Sequence, residues 1–299
     1  MIAAALAQQV EHALAVHAGG TQRLREAAAV GGGCISNATH LQTQEGSHAF
    51  LKWGKRGEFA TGLFQSEANS LARLAAADAV RVPRVIAARD EFDAEFSWLL
   101  LEWLEPGRIT SDAWHELGRG LAMLHRVRAE RFGWDAPNFI GSLPQQNAWS
   151  ADWSTFWRDQ RITPQLQAAR TRLGNANVQR IEKLLDVIND FAAAGNQDGA
   201  SLLHGDLWGG NVHGLASGQA ALIDPSSYYG HREVDLAMAK LFGGFDSSFF
   251  DAYEEAWPLL PEHEQRVSLY QLYYMLVHVN LFGGSYVAGS MSLVRKLGF

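Results

Sequence analysis

Three oxygen-bearing side chains in the last third of the chain have the chemistry that phosphoryl transfer needs. Asp206 lies in the segment 203–211, LHGDLWGGN, which ends at Asn211, and Asp224 follows in the segment 222–225, LIDP. A carboxylate such as that of Asp206 could accept the proton of an attacking hydroxyl group. The side-chain oxygens of Asn211 and Asp224 are of the kind that Mg²⁺ prefers. We therefore predict that Asp206 is a catalytic base and that Asn211 and Asp224 are metal ligands.

The spacing of these residues supports the same interpretation. Asn211 lies five positions after Asp206, as in the H-R-D-x-x-x-x-N loop of protein kinases, and Asp224 stands where those enzymes have D-F-G. Taken singly, an aspartate and an asparagine near glycines usually form a turn, and Ile-Asp-Pro usually ends a strand. Apolar runs on both sides of the loop, together with the order of the three residues, favour the catalytic interpretation.

Residues nearer the start of the chain could bind the phosphates of ATP. Gly31, Gly32 and Gly33 precede two short predicted strands, and glycines there would let backbone N–H groups approach phosphate. Lys52 lies near the end of the second strand, where kinases place a phosphate-binding lysine. Glu67, on the next predicted helix, could pair with Lys52. Taken singly, three glycines more often form a plain loop, and a lysine or a glutamate is more often a solvent-exposed charge. The order of these residues along the chain nevertheless favours a nucleotide site.

Two further groups are predicted to border or support this site. Leu101, Glu102 and Trp103 follow one another at the end of an apolar run, and they form either the hinge that binds adenine or a simple strand exit. His204 is predicted to hold the catalytic loop, residues 203–211, in place. Asp235 is predicted to accept backbone N–H groups of that loop. A nearly equal alternative is that Asp235 is only an acidic residue near a helix N-terminus, where the helix dipole favours a negative charge.

Two other side chains lie inside the glycine-rich segments. Trp208, two residues after Asp206, could form a wall for the acceptor substrate or pack in the interior. Cys34 is the one cysteine of the chain and could be a small packing residue. Because it lies in a glycine loop near phosphate-binding N–H groups, we also state a redox hypothesis, in which Cys34 of two chains forms a disulfide.

The elements that must position these residues change in kind along the chain. We predict a helix over 3–18, strands over 38–43, 47–53 and 96–102, a helix over 60–77, and a loop and strand over 80–88. Later helices are predicted over 112–128, 152–172, 176–193, 233–243, 246–257, 262–282 and 290–297, with strands at 201–204 and 220–224. This order predicts an α+β, protein-kinase-like fold with a small antiparallel-sheet N-lobe, residues 1–104, and a larger helical C-lobe, residues 105–299.

Composition excludes several other classes of protein. Of the 299 residues, 47% are hydrophobic and 19% charged, as in folded globular proteins, and the formal net charge of −7 argues against nucleic acid as a partner. The sequence has no apolar run long enough to span a membrane and no basic signal-peptide start, so we expect no membrane association. With one cysteine, a cytoplasmic protein is expected. Neither an H-E-x-x-H zinc motif nor a G-x-S-x-G elbow is present.

Several segments together resemble the fructosamine kinases, or ketosamine-3-kinases, which are relatives of the aminoglycoside phosphotransferases and choline kinases. The most specific are 203–211 and 224–231, DPSSYYGH, in which a tryptophan follows the catalytic aspartate and Asp-Pro replaces D-F-G. The others are 32–36 (GGCIS), 81–83 (RVP), 143–147 (LPQQN) before Asp152-Trp153, 241–245 (LFGGF) and 270–272 (YQL). The resemblance runs over nearly the whole chain and departs only at 37–40, NATH, where family members vary.

The resemblance implies a reaction and a set of roles. The γ-phosphate of ATP, with Mg²⁺, would pass to the 3-hydroxyl of a ketosamine, a fructosamine or ribulosamine that is free or on a glycated protein. The phosphorylated adduct would then break down and free the amine, which is a deglycation repair. The same resemblance implies the roles given above, and it adds Trp208 and His231 as acceptor-site residues. It leaves open whether the protein is a monomer or a dimer.

Three alternatives remain at this point. Another small-molecule kinase of the same fold, acting on an aminoglycoside, choline or homoserine, would differ only in its acceptor site, chiefly Trp208 and the segment 226–231. A nucleotide-binding pseudokinase would lack one of Asp206, Asn211 and Asp224, and all three are present. A protein kinase proper would contain D-F-G and A-P-E, which this sequence does not.

Overall fold

The N-terminal part of the chain forms an antiparallel sheet. The computed structural model describes residues 2–31 and 36–299, so the predicted phosphate-loop residues Gly32 and Gly33, with Cys34, lie outside the described residues. The sheet has five strands in the order β1-β2-β3-β5-β4. In chain order they are β1 (Leu24–Ala29), β2 (Asn37–Thr43), β3 (His48–Lys55), β4 (Val85–Arg89) and β5 (Phe96–Glu102).

One face of this sheet is covered by the first helix, α1 (Ala4–Ala18). Its buried residues Leu6, Val10 and Leu14 are spaced by about one helical turn, so they lie on one side of the helix. They pack on sheet residues that include Leu51 and Leu100 and form a separate small core with them. The amphipathic helix predicted over 3–18 is therefore present, and its apolar face covers the back of the sheet.

The other face of the sheet borders the rest of the molecule. Side chains alternate between the faces of a strand, so Leu51 points to α1 while its neighbours Phe50 and Lys52 point to the opposite side. Helix α2 (Leu63–Ala76) lies beside this second face. Its residues Phe64 and Leu71 belong to one continuous core with residues of the helical lobe. The two lobes therefore share a core, although the chain passes from sheet to helices between Glu102 and Ser111.

The remainder of the chain is mainly helical. Its helices are α3 (Ser111–His125), α4 (Trp153–Phe156), α5 (Thr163–Leu173), α6 (Asn175–Asp186), α7 (Ile188–Ala192), α8 (Ala194–Asp198), α9 (Glu233–Leu241), α10 (Ser247–Ala256), α11 (His263–Phe282) and α12 (Val287–Lys296). Its short strands are β6 (Arg128–Ala129), β7 (Asn138–Ile140), β8 (Leu143–Gln145), β9 (Ala200–Leu202), β10 (Val212–Gly214), β11 (Ala220–Leu222) and β12 (Tyr229–Gly230). The structure confirms the predicted α+β fold with a small sheet lobe and a larger helical lobe.

The structure differs from the prediction in several places. The single helix predicted over 176–193 is divided at Val187 into α6 and α7, because the backbone of Val187 leaves the helical conformation. Strand β1 was not expected, because its sequence, LREAAA, consists of good helix formers; pairing with β2 overrides that preference. The single helix predicted over 152–172 is interrupted by a π-helical stretch, Trp157–Ile162, between α4 and α5. The hairpin of β7 and β8 was not predicted either. Across the described residues, no helix combines the length and the apolar character that crossing a membrane would require.

Candidate active site

A cavity of about 420 Å³ lies between the two lobes. Most of the predicted site residues line it, although they come from distant parts of the chain. Those that do are Lys52, Glu67, Leu101, Glu102, Trp103, Asp206, Trp208, Asn211 and Asp224. The structure thus brings the predicted phosphate-binding, metal-binding and base residues together in one place.

Lys52 lies at the centre of a three-residue ion cluster. Its Nζ donates to Glu67 Oε1 and to Asp224 Oδ1, each at 2.7 Å. Strand β3 directs Lys52 to the cavity face, α2 supplies Glu67, and the segment after β11 supplies Asp224. Burial alone would lower the pKa of Lys52, but the two carboxylates outweigh it and hold the pKa above its ordinary value. Lys52 is therefore a fixed positive charge at the floor of the cavity.

Asp206 and Asn211 are joined across the loop between β9 and β10. The amide nitrogen of Asn211 donates to the Asp206 backbone carbonyl at 2.8 Å and to Asp206 Oδ2 at 3.2 Å. Withdrawal from water, with the charge of Asp224 nearby, raises the pKa of Asp206 to about 7. A carboxyl group with such a pKa is suited to act as a general base near neutral pH.

The loop 203–211, which carries the predicted base Asp206, is held in place by buried groups. Asp235, near the start of α9, accepts the backbone N–H groups of His204 at 2.7 Å and of Gly205 at 2.9 Å. The His204 ring donates from Nε2 to the Ile223 carbonyl at 3.0 Å and accepts the Asp206 N–H at Nδ1 at 3.3 Å. Both bonds are satisfied by a neutral imidazole, and burial lowers the pKa of His204 accordingly.

The residues predicted to border adenine are fixed by contacts between neighbouring elements. The carboxylate of Glu102 accepts the Arg84 N–H at 3.1 Å and forms an ion pair with Arg81. The ring of Trp103 stacks on His40, with ring centroids 3.7 Å apart. The side chain of Glu102 is therefore engaged within the protein, which leaves the backbone and the apolar side chains of this segment to contact a ligand.

Trp208 stands at the rim of the cavity, and 37% of its surface is exposed. Its ring lies over Gly210, where a Cβ atom would be 2.2 Å from the indole. The ring also makes an edge-to-face contact with Phe242, with centroids 6.3 Å apart. Of the two interpretations of Trp208, this position fits the wall of an acceptor site.

His231 lies elsewhere, and the structure does not bring it to the cavity. Its ring is fully buried and contacts the Tyr270 hydroxyl at 2.7 Å and Asp198 Oδ2 at 3.0 Å. Asp198, His231 and Glu233 are close enough to share a cation, but guanidinium groups already pair with both carboxylates, Arg232 with Asp198 and Arg266 with Glu233. His231 therefore belongs to a buried ion network and does not face a substrate in this position.

Other residues of the site were not found by sequence reasoning. Phe139 and Gly141, on the β7–β8 hairpin, line the cavity. The signal that could have revealed them is Gly141-Ser142, a turn between two short apolar segments. Tyr274 of α11 donates to the Gly205 carbonyl at 2.8 Å and so supports the loop that carries Asp206. Nothing local in the sequence points to this long-range contact.

Comparison with known proteins adds a second line of support. The model of the fructosamine kinase family matches residues 6–298. A Synechocystis protein assigned as a ketoamine kinase is 39% identical over 280 residues, which cover 92% of this chain and 90% of that protein. The mouse ketosamine-3-kinase is 35% identical over 297 residues, which cover 89% of this chain and 93% of the mouse protein. A crystal structure of a Haemophilus somnus protein assigned as a fructosamine-3-kinase is similar with a TM-score of 0.87 and 26% identity, covering 98% of this chain and 100% of that one.

Proposed function

The chain belongs to the fructosamine kinase family, and from this premise we propose that it transfers the γ-phosphate of ATP to the 3-hydroxyl of a ketosamine. The observation that carries the proposal is the convergence of Lys52, Glu67, Asp206, Asn211 and Asp224 on one cavity. Their chemistry corresponds to the parts that phosphoryl transfer requires, namely a phosphate-binding cation, metal ligands and a base. A donor such as ATP also favours a cytoplasmic protein.

In the proposed complex, the nucleotide lies against the sheet lobe. Lys52, held by Glu67, would bind the phosphates, because its ammonium group is the fixed positive charge of the cavity. Leu101, Glu102 and Trp103 would border the adenine at the segment that joins the lobes. The proposed covering loop, with Gly32 and Gly33, belongs to the undescribed residues and is carried over from the sequence prediction.

Mg²⁺ fits the donor set that lies next to Lys52 in the same cavity. Asp224 supplies a carboxylate whose side chain is 41% exposed, and Asn211 supplies an amide, so both donors are hard oxygen ligands. The proximity of two carboxylates, Asp206 and Asp224, is a further sign. Burial and, after it, the charge of Asp224 raise the pKa of Asp206, and a bound cation would relieve the repulsion between the two carboxylates. Bound there, Mg²⁺ would neutralise charge on the transferring phosphate.

Asp206 is the proposed base. It would orient the 3-hydroxyl of the acceptor and take its proton as the oxygen attacks the γ-phosphorus. Asn211 fixes the orientation of the Asp206 carboxylate, and Trp208 would bound the acceptor on the solvent side. The products are ADP and a ketosamine 3-phosphate, which would break down and release the amine, whether a free amine or that of a glycated protein.

An acceptor panel tests this proposal. ATP consumption with Mg²⁺ would be followed with a ribulosamine, a fructosamine, a glycated protein, an aminoglycoside, choline and no acceptor. We expect turnover with ketosamines only. We further expect a fall of about 10²–10⁴-fold for Asp206→Asn, since a base acts in the transition state. ATP binding, followed by thermal shift, should be retained in that variant.

Each other result of the panel has a definite meaning. Turnover with choline or an aminoglycoside alone would contradict the deglycation role while keeping the phosphotransfer chemistry. Near wild-type turnover by Asp206→Asn would show that another group is the base. ATP binding without turnover on any acceptor would indicate a nucleotide-binding regulator in place of an enzyme.

A further inference from the structure

A continuous strip of aromatic rings leads away from the rim of the cavity. It consists of Trp208, Phe242, His278, Phe282 and Tyr286, and we call it the aromatic strip. From Trp208 the strip continues to Phe242, whose ring centroid is 4.8 Å from that of His278. His278 in turn contacts Phe282 at 5.4 Å and Tyr286 at 5.0 Å.

The aromatic strip contains several apolar side chains that are exposed to solvent. Among the described residues, six large apolar side chains are exposed, and three of them, Trp208, Phe242 and Phe282, lie in the strip. The exposed fractions of Phe242 and Phe282 are 42% and 54%. Scattered apolar residues on a surface need no explanation, but a contiguous apolar patch at the edge of a site is typical of a binding surface.

The backbone beside the strip is closely docked on the catalytic loop. A Cβ atom on Gly209 would lie 2.8 Å from the Gly243 carbonyl oxygen and 3.1 Å from the Gly244 Cα atom. The segment after α9 that carries Phe242 is therefore packed directly against the loop that carries Asp206 and Trp208. Such packing fixes the strip relative to the reacting centre and reduces the conformational entropy that this part of the protein would lose when a ligand binds.

We propose that the aromatic strip binds the amine-bearing carrier of the ketosamine, with Phe242 and Phe282 contacting its apolar part. This inference rests on the proposed function. When the 3-hydroxyl of the sugar meets Asp206, only the carbonyl carbon separates the 3-carbon from the carbon that bears the amine. The carrier therefore begins close to Trp208 and must leave the cavity across its rim, where the strip begins.

The chemistry of the strip suits this occupant. A ketosamine carries a secondary amine, which is cationic at neutral pH, and aromatic faces attract cations. The four-carbon stem of lysine, the usual carrier on a protein, is apolar and can lie along successive rings. The His278 ring donates from Nδ1 to the Tyr274 carbonyl at 2.8 Å, and burial lowers its pKa, so it adds no repelling positive charge. The strip therefore favours carriers with apolar or aromatic groups beyond the amine.

Two acceptors that share one sugar test the inference. The first is the ketosamine of methylamine, which is too short to reach Phe282, and the second is the ketosamine on the side-chain amine of Nα-benzoyl-lysine. For Phe282→Gln we expect a rise in KM of about threefold to tenfold with the long acceptor, at unchanged kcat. With the methylamine acceptor both constants should stay at their wild-type values. Phe242→Gln should raise KM for the long acceptor in the same way.

The matched control is Phe92→Gln, because Phe92 is 85% exposed and lies in the sheet lobe, outside the strip and the cavity. This control should leave both acceptors unaffected. Equal KM values for wild type and Phe282→Gln with the long acceptor would overturn the inference while leaving the proposed function intact. A wild-type enzyme that phosphorylates neither ketosamine would instead contradict the proposed function, and the role of the strip would fall with it.

Discussion

Two residues beside the cavity have backbone conformations that most side chains avoid. Asp224 has a φ of 56° and Gly205 a φ of 85°, both in the left-handed region. For Asp224 the conformation costs energy, and such strain is often found where a side chain must be aimed at a ligand. At Gly205 the conformation is accompanied by a close approach, because an added Cβ atom would lie 2.1 Å from the Ser226 carbonyl oxygen.

The first prediction concerns this glycine. Gly205→Ala should lower the free energy of unfolding by more than the roughly 1–3 kcal/mol of backbone strain, because the clash with the Ser226 carbonyl adds to it. It should also abolish most turnover, since the loop would have to move. Gly46→Ala is the matched control, because Gly46 has a φ of 88° but nothing within 4 Å of its Cβ position. Equal losses of stability, with turnover kept in both variants, would refute the role assigned to the close approach.

At the scale of elements, three helices hold the catalytic loop. Asp235 comes from α9, Tyr274 from α11, and His125 from α3, whose ring Nε2 lies 3.2 Å from Asp235 Oδ2. Asp235 thus satisfies two backbone N–H groups of the loop and one side chain at the same time. The loop has little regular structure of its own, so its shape depends on these buried partners.

The second prediction concerns a substitution of Asp235, one of these buried partners. Asp235→Asn would present an amide N–H₂ where the loop requires an acceptor, so the free energy of unfolding should fall by about 1–3 kcal/mol. We expect kcat to fall while the KM for ATP is retained, because the proposed nucleotide contacts come mainly from the sheet lobe. Urea unfolding and steady-state kinetics would measure both effects, with Asp112→Asn, at an exposed position on α3, as control. An unchanged kcat would show that the loop does not depend on Asp235.

At the scale of the whole molecule, a buried ion network ties the helical lobe together. Asp198 at the end of α8 pairs with Arg232, and Glu233 at the start of α9 pairs with Arg266 of α11. His231 lies between the two carboxylates. Burial alone would raise the pKa of Asp198, but the bonds from His231 and Arg232 outweigh it and hold the pKa at about 2. The network therefore links stability to pH.

The third prediction follows from that lowered pKa. A carboxyl group whose pKa is lower in the folded state stabilises the fold above its unfolded pKa, and this stabilisation is lost as the pH falls through the folded value. At pH 7, Asp198→Asn should therefore reduce the free energy of unfolding by roughly 2–3 kcal/mol. The difference from wild type should begin to shrink below about pH 4, where the Asp198 carboxyl group becomes protonated in the unfolded state, and it should be lost as the pH falls through the folded pKa of about 2. Urea unfolding from pH 7 to pH 3 would measure it.

A control separates this network from ordinary surface charges. Asp159 pairs with Arg158 at the surface, where both side chains are exposed, and Asp159→Asn should change stability little at any pH. A difference between wild type and Asp198→Asn that stayed constant down to pH 3 would show that titration of Asp198 does not contribute.

Local patterns predicted most of the fold. The spacing of Leu6, Val10 and Leu14 predicted α1, and the apolar run 96–102 predicted β5 with the bounds observed. The pattern failed where distant partners decide the conformation. Strand β1 exists only because β2 pairs with it, and the π-helical stretch around Arg161 places that guanidinium 3.9 Å from the centroid of the Tyr228 ring. Single-sequence periodicity contains no information about such partners.

The sequence alone determined which chemistry we propose for the site, because the types and spacing of Asp206, Asn211 and Asp224 are local properties that are typical of phosphoryl transfer. Tertiary structure decided which other residues join them. It placed Trp208 at the rim and His231 in a buried network, although both lie in segments of equally specific sequence. It also assembled the aromatic strip from three separate segments of the chain. Those outcomes depend on contacts between helices and loops that are distant in sequence, and such contacts form only in the folded molecule.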